Sequence, residues 1–226
     1  MEKNCQTIGE EIANSLLHCI GFVLGILGLV LLINHARSFV PVYVIFSSTM
    51  IFMFFASTMY HALIPQRVKE LFRVIDHQAI YVFIAGTYTP FCLLALKGPL
   101  GLFLLCFEWI LAITGVILSA IGCRFLKKIE TVIFILMGWA IVFGWITLIR
   151  FLTIQSIILL FAGGVAYTAG IFWYRAGKAK PAGNSSLKPV KNRKRLFFGH
   201  VIWHLFVLAG AICHWFSVWY LCLTVV

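Results

Sequence analysis

His200 and His204 stand four residues apart, so in a helix both project from one face. That spacing lets two imidazoles grip one metal ion. His61, from a distant segment, completes a three-imidazole set. Three protein ligands leave a fourth position open for water, the arrangement of catalytic rather than structural zinc. Asp76 is placed to hydrogen-bond that water or a ligand imidazole. Ser57, four residues before His61, shares its helical face and stands behind the ligands. The chemistry such a set would do is metal-assisted hydrolysis. Zinc lowers the pKa of water to about 7 and polarises a carbonyl, and Asp76 would serve as general base. The competing reading of each histidine is an interfacial side chain bonded to lipid headgroups or backbone. That reading suits a lone histidine better than an i, i+4 pair matched in depth by a third His and an Asp.

The elements that must position these residues are membrane helices. The chain has 226 residues, 62% hydrophobic and only 11% charged, whereas soluble domains carry about 25% charged residues. Seven apolar stretches, at about 16–34, 41–63, 76–96, 100–122, 131–149, 154–174 and 197–224, approach the length needed to cross the hydrocarbon. Their backbones must satisfy their own hydrogen bonds, which makes each a helix. The fold class is all-α: one polytopic transmembrane domain over residues 1–226, a seven-helix bundle in the cell membrane, with a basic loop at 176–196.

Charge in the loops sets the orientation. With the N-terminus inside, the cytoplasmic segments hold Lys3, then Arg67, Lys69 and Arg73, then Arg124, Lys127 and Lys128. The last inner loop adds Arg175, Lys178, Lys180, Lys188, Lys191, Arg193, Lys194 and Arg195. The outer segments hold Arg37, Lys97 and Arg150 alone. This asymmetry predicts a cytoplasmic N-terminus and an external C-terminus. It also accounts for the net charge of +11 without nucleic acid as a partner. The partners expected are membrane lipids, and the basic loop reads first as a topology signal and second as a site for anionic headgroups. In that orientation His61, Asp76, His200 and His204 all lie near the cytoplasmic boundary.

Other polar residues fall around this set. Glu11, Asn14 and His18 are spaced three and four apart on one helical face. They either face the same cavity from behind the ligands or form a capped, interfacial helix start. His214 is fourteen residues beyond His200, about 21 Å along a helix. It cannot share the metal and is expected to bond another helix, with Glu108 as one option. His77 is expected to point away from Asp76, and His35 to lie in an outer loop; neither is assigned a role. The segment 85–90 reads as a close-packing and kink segment by its small residues and Pro90. The seven cysteines form no CxxC pair and read as packing residues. No signal-peptide pattern opens the chain, and no internal repeat suggests a two-halved transporter.

Several of these segments resemble the haemolysin III family, the bacterial branch of the progestin and adipoQ receptor superfamily. They are Glu10–Ser15 with His18, Ser57–His61, Asp76–Pro90 and His200–Leu208. The resemblance implies seven helices with the N-terminus inside. In the related adiponectin receptors three histidines hold zinc, with an aspartate and a serine nearby; the matching positions are His61, His200 and His204, with Asp76 and Ser57. The site is also similar to that of alkaline ceramidases, which cleave a lipid amide. A long N-terminal extension like that of the animal receptors is lacking, so hormone binding is not implied. The family name implies cytolysis, but no barrel pattern of a pore-forming toxin is present.

Two functions follow as expectations: a zinc-dependent hydrolase of a lipid amide or ester, or a non-enzymatic membrane regulator in which zinc staples helices. Membrane permeabilisation is a weaker third. The orientation is testable at once. Alkaline phosphatase fused after the C-terminus or within residues 97–99 should be active in cells, and inactive when fused within 176–196; the reverse pattern would invert the topology.

Overall fold

The computed structural model describes residues 6–177 and 198–225; from residue 178 the expected basic loop lies outside them, as does Lys3. The helices are α1 (Ile8–His35), α2 (Val40–Ala62), α3 (Gln66–Pro90), α4 (Pro99–Ala120), α5 (Arg124–Trp139), α6 (Trp145–Phe151), α7 (Ile154–Gly177) and α8 (Gly199–Thr224). A π-helical turn, Phe91–Ala95, prolongs α3, and a 3-10 turn, Ala140–Gly144, joins α5 to α6 as one span. Seven spans are long and apolar enough to cross a membrane. The chain is a multi-pass membrane protein. The packing order runs α4, α3, α2, α1, α8, α7, each against the next, and α5 touches α3, α4 and α7.

Most boundaries match the apolar stretches, but three helices, α1, α3 and α5, start well before the expected positions. Hydropathy marks the part of a helix inside hydrocarbon, whereas helix formation itself continues wherever caps and propensity allow. At α1, Thr7 and Glu10 form a capping box: Thr7 Oγ1 accepts from the Glu10 N–H, and the Glu10 carboxylate accepts from the Thr7 N–H at 2.8 Å. The helix therefore begins at Ile8 rather than near 16. At α3, Pro65 precedes a charged, helix-favouring stretch that carries Arg67, Lys69 and Arg73. Asp76 consequently sits in the third turn of α3 rather than at its start.

The bundle buries large aromatics, among them Tyr43, Phe46, Phe54, Tyr81 and Phe91, and turns side chains such as Leu27, Ile110, Ile117 and Phe143 outward. The outward set fits lipid as solvent. The small residues at 85–90 do allow close packing. A Cβ on Gly86 would fall within the Thr49 side chain of α2, so α2 and α3, and with them Ser57, His61 and Asp76, are drawn together at that glycine. At the end of the bundle opposite the α2 C-terminus, Ser156 and Ser217 lock α7 to α8. Each hydroxyl donates to the other residue's carbonyl, at 2.9 and 2.7 Å.

The break in the fifth span is held by one side chain. Tyr88 Oη donates to the Met137 carbonyl at 2.6 Å and accepts from the Ile141 N–H at 2.7 Å. Those backbone groups span the start of the 3-10 turn, where the regular helical ladder is interrupted. Tyr88→Phe should therefore destabilise the protein by about 1–3 kcal/mol, the cost of leaving buried polar groups without a partner. A thermal-unfolding midpoint in detergent equal to wild type would refute that role.

Candidate metal centre

The C-terminus of α2 and the first turns of α8 bring His61, His200 and His204 together. One nitrogen from each lies within 4.8 Å of the others. Ring centroids are 4.6 Å apart for His200–His204, 5.4 Å for His61–His200 and 4.9 Å for His61–His204. Ligands on one tetrahedral zinc, at 2.0–2.1 Å each, would sit about 3.4 Å apart. Small side-chain rotations would close that difference. His61 and His204 are buried, and His61 Nε2 and His204 Nδ1 are sequestered without a hydrogen-bond partner among the described residues. A buried orphan acceptor is costly, and a metal ion would satisfy it. The donor set fits a divalent metal, and this cluster could hold one.

Asp76 and Ser57 line the same cavity as His200 and His204. Both residues that the sequence placed beside the metal thus share a cavity with two of the three histidines.

The α1 face carries more than its spacing foretold. Glu11 Oε2 is 2.7 Å from His61 Nδ1, and Glu11 Oε1 is 3.0 Å from Lys69 Nζ. His18 is buried with its ring 3.8 Å, centroid to centroid, from that of His204. Asn14 is buried one turn away, with its Nδ2 donating to Gln6 Oε1 at 3.5 Å. Of the two readings of this face, the structure has Glu11 and His18 touching the cluster directly. The start of α8 is held from the same helix. Phe198, at φ 61°, precedes α8, and its N–H donates to Glu10 Oε1 at 3.0 Å.

Three expectations are corrected. His77 does not point away; it lines the same cavity, and its Nδ1 is 3.3 Å from Glu130 Oε2 of α5. Successive residues of a helix point about 100° apart, so Asp76 and His77 can share the cavity while His77 also reaches α5. His35 is not in a loop but in the last turn of α1, with its Nδ1 2.9 Å from the Leu31 carbonyl and its ring against Trp219. His214 does bond another helix, but the partner is the Leu160 carbonyl at 3.1 Å rather than Glu108. The Glu108 carboxyl is fully buried in α4. Glu130 and Lys69 were visible only as loop charges, and a helical reading of 66–75 and 124–130 would have exposed them.

The cavity has a volume of about 170 Å³. It starts at the histidines and extends between the helices to His214, about 21 Å farther along α8 at 1.5 Å per residue. Its walls are largely apolar, with Met53, Ile80, Phe83, Trp203 and Val207 among them. One end thus carries imidazoles of the cluster, and much of the remaining wall is apolar.

Comparison with known proteins agrees with this architecture. Residues 6–215 match the model of a family described as haemolysin-III related. The chain is 38% identical to Hemolysin-3 of Bacillus cereus over 96% of its own length and 94% of that protein's. It is 35% identical to a Hemolysin-3 homolog of Bacillus subtilis, covering 97% of each. A more distant relative is the human monocyte to macrophage differentiation factor, at 26% identity over 74% of this chain and 64% of that protein.

The cluster and the far end of the cavity should be separable. His214→Ala should leave intact whatever divalent metal the protein retains, measured by elemental analysis after chelation and dialysis. Metal loss equal to that of a His200→Ala variant would overturn the assignment of His214 outside the site.

Proposed function

The chain belongs to the haemolysin III-related family, and from that premise we propose that it is a zinc-dependent membrane hydrolase acting on an amide or ester bond of a lipid. The observation that carries this reading is the junction of three convergent imidazoles with one end of a largely apolar cavity that Asp76 and Ser57 also line. His61, His200 and His204 would hold the zinc. When bound, zinc supplies Lewis-acid polarisation of a carbonyl and a lowered water pKa.

The chain's own residues do the rest. The apolar walls bind an acyl chain and hold its head at the histidines. Asp76 takes a proton from the attacking water on its carboxylate and returns it to the leaving group, the paired role of a positioned carboxylate. Ser57 adds a hydroxyl to the same cavity wall. The narrow interior excludes bulk water, which strengthens these electrostatic contacts. The loop charges favour a cytoplasmic location for the site, so a lipid of the inner leaflet would enter from the side.

A second reading has one specific support. The three ligands come from α2 and α8, which flank α1, so zinc could act as a staple for the bundle. Two variants separate the readings. Purified protein should carry about one zinc per chain, and His204→Ala should lose it. Asp76→Asn should keep the zinc and lose turnover of lipid amides and esters, by at least about 100-fold for a removed acid–base group. Protein free of zinc after careful preparation would sink the proposal, and wild-type protein with retained zinc but no lipid turnover would favour the staple.

A further inference from the structure

We propose that Glu11 is a positioning residue that fixes the His61 imidazole with its proton on Nδ1, so that Nε2 is the atom presented to the other two histidines. The inference deepens the reading of the site as a metal centre and rests on it for its consequence, but the hydrogen bond itself stands without metal. Neutral imidazole has one N–H and one lone pair. A partner that accepts at one nitrogen decides which nitrogen is left to ligate. Glu11 Oε2, at 2.7 Å from Nδ1, is within the range of a charge-assisted bond and can only accept. Nε2 is then the lone-pair atom, and it is the His61 nitrogen that is buried without a partner among the described residues.

The carboxylate is itself held in place. Its second oxygen meets Lys69 Nζ at 3.0 Å, and that ammonium lies 5.5 Å from the centre of the Tyr60 ring, one residue before His61. Ser15, one turn beyond Glu11, donates to the Thr58 carbonyl at 3.4 Å. Glu11 thus joins α1, α2 and α3 at the ligand from α2. Carboxylates that orient ligating histidines are worth roughly 10–100-fold in metal affinity.

A purely structural ion pair between α1 and α3 would depend equally on Glu11 and Lys69, and would not govern a tautomer. Full-length protein in lipid nanodiscs, labelled with ¹⁵N-histidine and stripped of metal, distinguishes the two. The His61 signal, assigned by its loss in His61→Gln, should show a protonated Nδ1 in wild type. That preference should persist in Lys69→Met and vanish in Glu11→Leu. Competition for zinc ion against a chelator should show affinity weakened about 10–100-fold in Glu11→Leu, and far less in Lys69→Met.

A wild-type His61 protonated on Nε2 overturns the inference, even if Glu11→Leu fails to fold. Equal loss of zinc affinity in both variants, with the tautomer unchanged, also overturns it and leaves Glu11 as a packing ion pair. If wild-type protein binds no zinc, the proposed function fails, and the tautomer measurement still decides the role of Glu11.

Discussion

The arrangement depends on how the carboxylates of Glu10 and Glu11 are answered at the start of α1. A carboxylate leaving water for the interior of a bundle must be met by donors, because the desolvation cost is otherwise several kcal/mol or more. Glu10 is fully buried, and its oxygens accept from Thr7 and from the N–H of Phe198. Glu11 meets His61 and Lys69. The first carboxylate fixes where α8 begins, and hence the height of His200 and His204. The second fixes the ring of His61 on α2. Two adjacent residues on one helix thereby set the relative position of ligands separated by about 140 residues of chain.

The same need for satisfied polar groups shapes the cavity. Pro90 lacks an N–H, and the turn after it is π-helical rather than α-helical. Across from it the fifth span breaks into a 3-10 turn. Irregular backbone at this depth is tolerated where protein groups take up the freed bonds, and Tyr88 does so from α3. The cavity runs beside this junction, lined by Tyr88, Phe91 and Ile141. A straight, fully regular α3 and fifth span would pack more closely, as uniform ridges fill grooves. Departures from regularity thus help to leave room in an otherwise dense bundle.

Sequence carried the seven spans and the convergence of His61, His200, His204, Asp76 and Ser57 because those rest on local rules: apolar length, and a repeat of four in a helix. It did not carry the true starts of α1, α3 and α5, because an apolar criterion stops at the hydrocarbon edge while Thr7–Glu10 capping and the charged stretches after Pro65 and from Arg124 extend the helices past it. The consequence reached the site. Lys69 counted as a loop charge is a topology signal; Lys69 placed in the first turn of α3 is a partner for Glu11. His214 shows the other limit. Its need for a partner on another helix was legible from its burial in an apolar stretch, but a backbone carbonyl such as that of Leu160 leaves no mark in sequence.

The number of ligands bears most directly on the choice between catalysis and stapling. His18 is the residue that could close the site to four imidazoles, since it is buried and its ring is 3.8 Å from that of His204. An imidazole ligates through a lone pair in the plane of its ring, however, and the two rings pack against each other at a tilt of 42°. Among the described residues, the set with donor atoms in mutual reach is His61, His200 and His204, without His18. Three ligands leave a tetrahedral ion one position for water or substrate, while a purely structural site is normally closed with four. Asp76 and Ser57 line the same cavity as His200 and His204. His18 lines the same cavity and packs against His204 from α1, so it restrains that ring without adding a fourth donor to the set, and three donors are the number an open site requires.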